Sequence, residues 1–184
     1  MATVQGYGLT EKKEQGNLLE VNVTVISNED CTEQLKYNAT RRAAVRKAVK
    51  AVPRGIIGRG LLCTQGERFG KYVKSSCEGD SGGPLKTLDP SNEKRETLIG
   101  VVSGGIGCGS GVPPWYTRLS FHVRWFKCII DKTTQFLNEG RSDHKRGFTQ
   151  KKVEDYCRGE VRPDPACVVR EHILDEAEEN LVFC

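Results

Sequence analysis

No apolar run in the 184 residues approaches the ~20 consecutive residues of a membrane-crossing helix, so no membrane span is expected. The stretch from Thr10 to Gly16 is too charged for the apolar centre of a secretory leader, so Met1 is not read as opening one. Cysteines never occur in Cys-x-x-Cys spacing, which removes the usual sign of a zinc site; no metal and no cofactor is expected. Histidine is scarce: His122, His144 and His172 are the whole supply, and all follow Ser81. They are read as surface or capping residues.

Cysteine itself is abundant. Eight in a chain of 184 residues point to an oxidising compartment, hence to a secreted or extracellular protein. Two N-glycosylation sequons, Asn22-Val-Thr24 and Asn38-Ala-Thr40, agree with that; the second, read as part of a polar loop, is the better candidate. Charge is unevenly spread. Residues 1–130 carry 19 basic and 12 acidic side chains, whereas 131–184 carry 9 and 12, which suggests two modules joined near residue 130.

The most specific motif runs from Cys77 to Pro84, Cys-Glu-Gly-Asp-Ser-Gly-Gly-Pro. A serine set between glycines presents its hydroxyl on a tight turn whose uncovered backbone N–H groups face a substrate, the local geometry of an acyl-transfer nucleophile. This sequence resembles the chymotrypsin- and trypsin-like serine protease family, whose nucleophile motif stands unaltered at Gly79 to Pro84. The likeness continues through Leu98-Ile-Gly-Val-Val-Ser103, Cys108, Pro113-Pro-Trp-Tyr116 and Phe121-His-Val-Arg-Trp-Phe126 before Cys128. Upstream, Gly6-Tyr-Gly8 is similar to the Gly-Trp-Gly that opens the family's second domain, so the resemblance covers residues 5–130.

The resemblance implies an all-β fold: one six-stranded antiparallel barrel, the second of the family's two, followed by a closing helix. It makes Ser81 the nucleophile, with the N–H groups of Gly79 and Ser81 as the oxyanion hole. Ser103, Gly104 and Gly105 become the edge strand that pairs with a bound peptide, and Ser75 the base of the specificity pocket. It pairs Cys31 with Cys63 and Cys77 with Cys108, leaving Cys128, Cys157, Cys167 and Cys184 with three possible pairings. In the family Asp80 pairs with a freshly cut amino terminus. Met1 is too close to Gly6 to serve, so Asp80 is expected to turn outward, take up a proton or leave its loop disordered. The family's histidine and aspartate belong to a barrel that precedes the counterpart of Gly6 and are not among these residues. The expected function is therefore that of the carboxy-terminal part of a secreted serine endopeptidase, inactive or nearly so by itself, whose partners are a peptide or protein substrate and the missing barrel.

The residues themselves give a matching pattern of elements. Leu18 to Ile26 alternates apolar and polar residues, a half-buried strand with Leu19, Val21, Val23 and Val25 facing one way. Other strands are expected at Val4–Leu9, Gly60–Thr64, Pro84–Thr87, Thr97–Val102 and Trp115–Arg118. Ser27 or Asn28 caps a short helix carrying Cys31 and Leu35. After Ser120, a closing helix is expected to bury Val123, Phe126, Cys128, Ile129 and Ile130.

Between Lys36 and Arg59 an insertion holds eight basic residues and no acid, with Ala44, Val45, Ala48, Val49 and Val52 at helical spacing ahead of Pro53. It is read first as a solvated helix face and second as a patch for polyanions or an acidic protein partner, in which case the chain is a non-catalytic protease-like binding module. It is too poor in aromatic residues to stack bases, so nucleic acid is not expected. In the extension, residues 137–152 read as a linker, and Val169, Ile173, Leu174, Ala177 and Leu181 as one face of an amphipathic helix over 168–183.

Overall fold

Six strands close on themselves in antiparallel pairs, because each carries inward apolar residues that only a continuous ring of neighbours can cover. The computed structural model describes residues 1–10, 12–43, 45–47, 57–89, 92–139, 157 and 181–183. In chain order the elements are β1 (Ala2–Gly6), β2 (Leu19–Ile26), α1 (Asn28–Arg41), β3 (Leu61–Gly66), β4 (Arg68–Phe69), β5 (Tyr72–Val73), β6 (Pro84–Asp89), β7 (Asn92–Ile106), β8 (Trp115–Arg118), α2 (Leu119–Glu139) and β9 (Leu181–Phe183). The barrel runs β6-β1-β2-β3-β8-β7, and pairing of β7 back onto β6 closes it.

Register explains which apolar residues reach the interior. In β2 the alternating residues keep one parity, yet Val23 is buried, Val21 half-buried, and Leu19 and Val25 exposed. The strand changes partner at its middle: residues 19–23 pair with β1 and residues 23–26 with β3, so only Val23 is flanked on both sides. Ala2, Val4, Val23, Leu62, Leu85, Val102 and Tyr116 form one buried cluster. A second gathers Cys31, Leu35, Val45, Ile57, Leu61, Cys63 and Trp115. In β3, Leu62 belongs to the first and Leu61 and Cys63 to the second, so this strand is apolar on both faces.

The side chain of Ser27 caps α1: its Oγ accepts from the Asp30 N–H at 3.0 Å and donates to Asp30 Oδ2 at 2.8 Å, with Glu29 and Asp30 facing the positive helix end. The expected short helix continues to Arg41, and Cys31, its neighbour Thr32 and Leu35 four positions after Cys31 are its buried residues, all on one face. A disulfide fastens Cys31 to Cys63 on β3. Asn38 consequently sits in a helix and not in a loop, and its amide nitrogen donates to the Gln34 carbonyl at 2.8 Å.

Several expectations are revised. The hairpin of β4 and β5, turning at Gly70 with φ +59°, was not anticipated; Gly-Lys between Phe69 and Tyr72 is its sequence signal. Helix α2 extends through Glu139, into the stretch read as a linker. Its exposed residues include Val123, Phe126 and Ile130, whereas Phe121, His122, Trp125, Cys128 and Ile129 are half-buried, so the covered stripe is rotated from the expected one. Cys128 is joined to Cys157. Leu181–Phe183 is a strand instead of the end of a helix, because it finds a partner in β7. Cys167, Cys184, most of the helix expected over 168–183, and Ala44, Ala48, Val49, Val52 and Pro53 of the insertion lie outside the described residues. Met1–Leu119 with Asp164–Cys184 makes one compact unit and Ser120–Pro163 another.

Candidate active site

The segment from Lys74 to Gly83, between β5 and β6, holds the serine, and its own backbone holds it in place. Gly79 and Gly82 adopt φ +88° and +81°, conformations that side-chain-bearing residues avoid, which is why the serine is bracketed by glycine. The loop is stitched inward by Asp80 N–H to Cys77 C=O at 3.1 Å and Gly83 N–H to Asp80 C=O at 2.8 Å. It is stitched outward to β7 by a reciprocal pair, Gly82 N–H to Val102 C=O at 3.0 Å and Val102 N–H to Gly83 C=O at 2.9 Å. The Leu9 N–H donates to the Glu78 carbonyl at 2.7 Å, and the Cys77–Cys108 disulfide fastens the loop to the far end of β7. Ser81 and Gly79 are exposed on the resulting turn.

Asp80 is turned into the loop and not outward. Its carboxylate is half-buried, ordered and supplied with backbone donors: Oδ1 accepts from the Gly8 N–H at 2.9 Å and Oδ2 from the Cys77 N–H at 2.8 Å. Two amides thus do what a cation was expected to do, because a carboxylate is stabilised by aimed N–H dipoles as well as by a counter-charge. The approach requires glycine. A Cβ on Gly6 would lie 1.9 Å from Oδ1 and one on Gly8 2.5 Å from it, so Gly6-Tyr-Gly8 is a cradle for this side chain.

Beneath the loop, the buried Tyr116 Oη accepts from Thr64 Oγ1 at 3.1 Å and lies 3.3 Å from Ser76 Oγ. Burial raises the Tyr116 phenol above its ordinary range, opposed by its bonds to Ser76 and Thr64, with Asp80 adding a smaller upward push. A depression beside the loop is lined by Ser76, Cys77, Glu78, Val102, Gly104, Gly105, Gly107 and Cys108. Its free volume of about 20 Å³ accommodates roughly one water, not a substrate side chain. Ser75, the expected pocket base, is not in that lining; its Oγ accepts from the Gly109 N–H at 3.2 Å. Ser103 is half-buried and Gly104 buried, and Gly104 and Gly105 lie opposite Phe183 and Val182 of β9.

A family model for trypsin matches residues 1–126. This chain belongs to the trypsin family. It is 34% identical over 134 residues to the CLIP domain-containing serine protease C9 of Anopheles gambiae, covering 71% of this chain and 35% of that protein. It is 32% identical over 130 residues to tissue-type plasminogen activator of Rattus norvegicus, with 67% and 20% covered. It is also 34% identical over 116 residues to glucanase inhibitor protein 2 of Phytophthora sojae, with 62% and 32% covered. The chain therefore spans about a fifth to a third of the length of these curated relatives.

Trypsin-family membership makes residues 1–126 protease-domain sequence. Within the barrel unit, the loop and β7 bring Ser81, Gly79, Asp80, Ser103, Gly104 and Gly105 onto connected backbone. Among the described residues of that unit they bring no imidazole: residues 1–121 contain no histidine. His122 stands on α2, where its Nε2 has no hydrogen-bond partner among the described residues, and His144 and His172 lie outside them. Reading the sequence missed Ser76, Tyr116 and the role of Gly6 and Gly8. For the last the signal was present: two glycines separated by one residue at the end of a strand mark a close approach.

Proposed function

We propose that this chain is the carboxy-terminal barrel of a secreted serine endopeptidase in which Ser81 attacks the peptide carbonyl and the Gly79 and Ser81 amides receive the oxyanion. The observation that carries this reading is the nucleophile turn itself: Gly79 at φ +88°, Ser81 exposed, and the loop bonded to β7 and to Leu9. The base comes from a second barrel, in the same polypeptide or a separate one. Tyr7, Leu18 and Leu19, near one another through the Gly6–Leu19 pairing, are each more than half exposed and suit the face such a barrel would cover. Secretion is supported by the three disulfides.

Without a base a serine hydroxyl is a weak nucleophile near neutrality, and removing the histidine from a serine hydrolase costs on the order of a millionfold in turnover. The 184-residue chain alone is therefore not a proficient hydrolase. A fluorophosphonate probe tests this. Labelling of the chain at a rate no different from Ser81→Ala is expected, rising when a barrel bearing histidine and aspartate is supplied; rapid labelling of Ser81 in the chain alone overturns the reading.

A second reading, a non-catalytic binding module, is favoured by the relative named as an inhibitor. Three guanidinium groups of its basic surface already contact the chain's own groups. Arg42 donates to the Ser110 carbonyl at 3.0 Å, Arg46 to the Ala39 carbonyl at 3.1 Å, and Arg41 stacks 4.3 Å over Tyr37. Retention on immobilised heparin no greater than that of an unrelated protein of equal charge counts against it.

A further inference from the structure

The rim of the barrel at Gly104–Ile106 is a strand edge already in use. Gly104, Gly105 and Ile106 pair antiparallel with Phe183, Val182 and Leu181. Two features of β7 make this edge receptive to another backbone. Gly104 and Gly105 carry no side chains, and a Cβ on Gly105 would sit 3.5 Å from Pro114, so one face is closed while the main-chain groups stay available. The occupant is equally distinctive. Leu-Val-Phe is a wholly apolar triplet directly after a segment with five acids between Glu171 and Glu179. Its alignment is that of a peptide adding a strand to a sheet, where backbone bonds give affinity and alternate side chains give selectivity.

We propose that Leu181–Phe183 is a built-in occupant of the peptide-binding edge, so that an extended apolar peptide binds only by displacing it. This rests on the reading of Ser103, Gly104 and Gly105 as the substrate strand. A segment of the same chain competes intramolecularly, so it holds off free peptides that bind weakly. If it is seated nine-tenths of the time or more, the apparent affinity of an incoming peptide falls about tenfold or more. The occupant's own sequence, Leu-Val-Phe, makes apolar peptides the competitors to test.

The test uses the full chain with Val182→Pro and, separately, Phe183→Pro. Amides of an antiparallel strand point alternately toward and away from the partner, so one of these two substitutions removes an N–H aimed at β7. Amide exchange at Gly104–Ile106 is read alongside fluorescence anisotropy of a dye-labelled Ala-Leu-Val-Phe amide, with protection at Leu62 and Tyr116 reporting the barrel. Slow exchange at Gly104–Ile106 in the unaltered chain, faster exchange in at least one variant, and at least tenfold tighter peptide binding by that variant are expected. Fast exchange there in the unaltered chain, or exchange and affinity unchanged in both variants, overturns the proposal. Faster exchange with no gain in peptide binding shows that the strand is seated but the edge is not a substrate edge. That outcome removes the substrate-strand reading and the competition together.

Discussion

Replacing Asp80 separates two accounts of what shapes the nucleophile loop. In the structure its two carboxylate oxygens accept from the Gly8 and Cys77 amides at 2.9 and 2.8 Å, and Gly8 is buried. Asp80→Ala removes both acceptors. A hydrogen bond to a charged group contributes about 1.5–3 kcal/mol, and a buried donor left unpaired costs about 1–3 kcal/mol. Cys77 and Asp80 are only half-buried, so water can replace part of what is lost, and the expected destabilisation is about 2–4 kcal/mol. Asp80→Asn keeps the shape and one acceptor but turns an NH2 group toward the other amide, so about half that loss is expected. Urea unfolding monitored by tryptophan fluorescence reads both; with a slope of about 1–3 kcal/mol per molar, the Ala variant shifts the midpoint by roughly 0.7–4 M. Gly6→Ala supplies the control, since its methyl would fall 1.9 Å from Oδ1 and evict the carboxylate. Its loss should overlap that of Asp80→Ala and not add to it. The reasoning is refuted if Asp80→Ala changes stability by less than about 0.5 kcal/mol, or if the two losses are additive.

Tyr116 predicts a pH dependence. Because its folded phenol is raised above the ordinary value near 10, the unfolded chain sheds the proton first, so this contribution is complete below about pH 10 and lost above it, by up to about 1.4 kcal/mol per pH unit. Tyr116→Phe should remove that slope; denaturant midpoints from pH 9 to 11 check it. Leu85 is fully buried among Ala2, Val4, Val23 and Tyr116, and Leu85→Ala is expected to cost about 2–5 kcal/mol by calorimetry. The Cys77–Cys108 disulfide closes a separation of 31 residues, so the Cys77→Ser, Cys108→Ser double variant should lose about 3–4 kcal/mol and speed amide exchange through the Ser81 loop.

The barrel could be read from the chain because each strand there carries its own marker: alternation in β2, the Pro84 boundary of β6, the Trp-Tyr pair opening β8. Elements defined mainly by their partners could not. Leu181 keeps helical spacing with Leu174 and Ala177, yet three residues adopt whatever backbone their neighbour completes, and β7 completes a strand. Helix lengths were underestimated for a related reason. Asn38, Thr40 and Arg41 look like loop residues, but the Ser27 cap and the buried Cys31 and Leu35 hold the helix through them. In the site, the nucleophile motif was plain, whereas the Asp80 arrangement was hidden by the assumption that a buried carboxylate must have a cation. Gly6 and Gly8 were the residues that contradicted it, because only their missing side chains let the carboxylate reach a backbone amide.

Turnover of a fluorogenic peptide by this 184-residue chain, measured beside Ser81→Ala purified in parallel, bears most directly on the claim that a poised serine stands here without its base. Rates indistinguishable between the two proteins, with activity appearing only when a histidine-bearing barrel is added, are what the proposed function predicts. Sustained hydrolysis by the unaltered chain alone that vanishes in Ser81→Ala would contradict it.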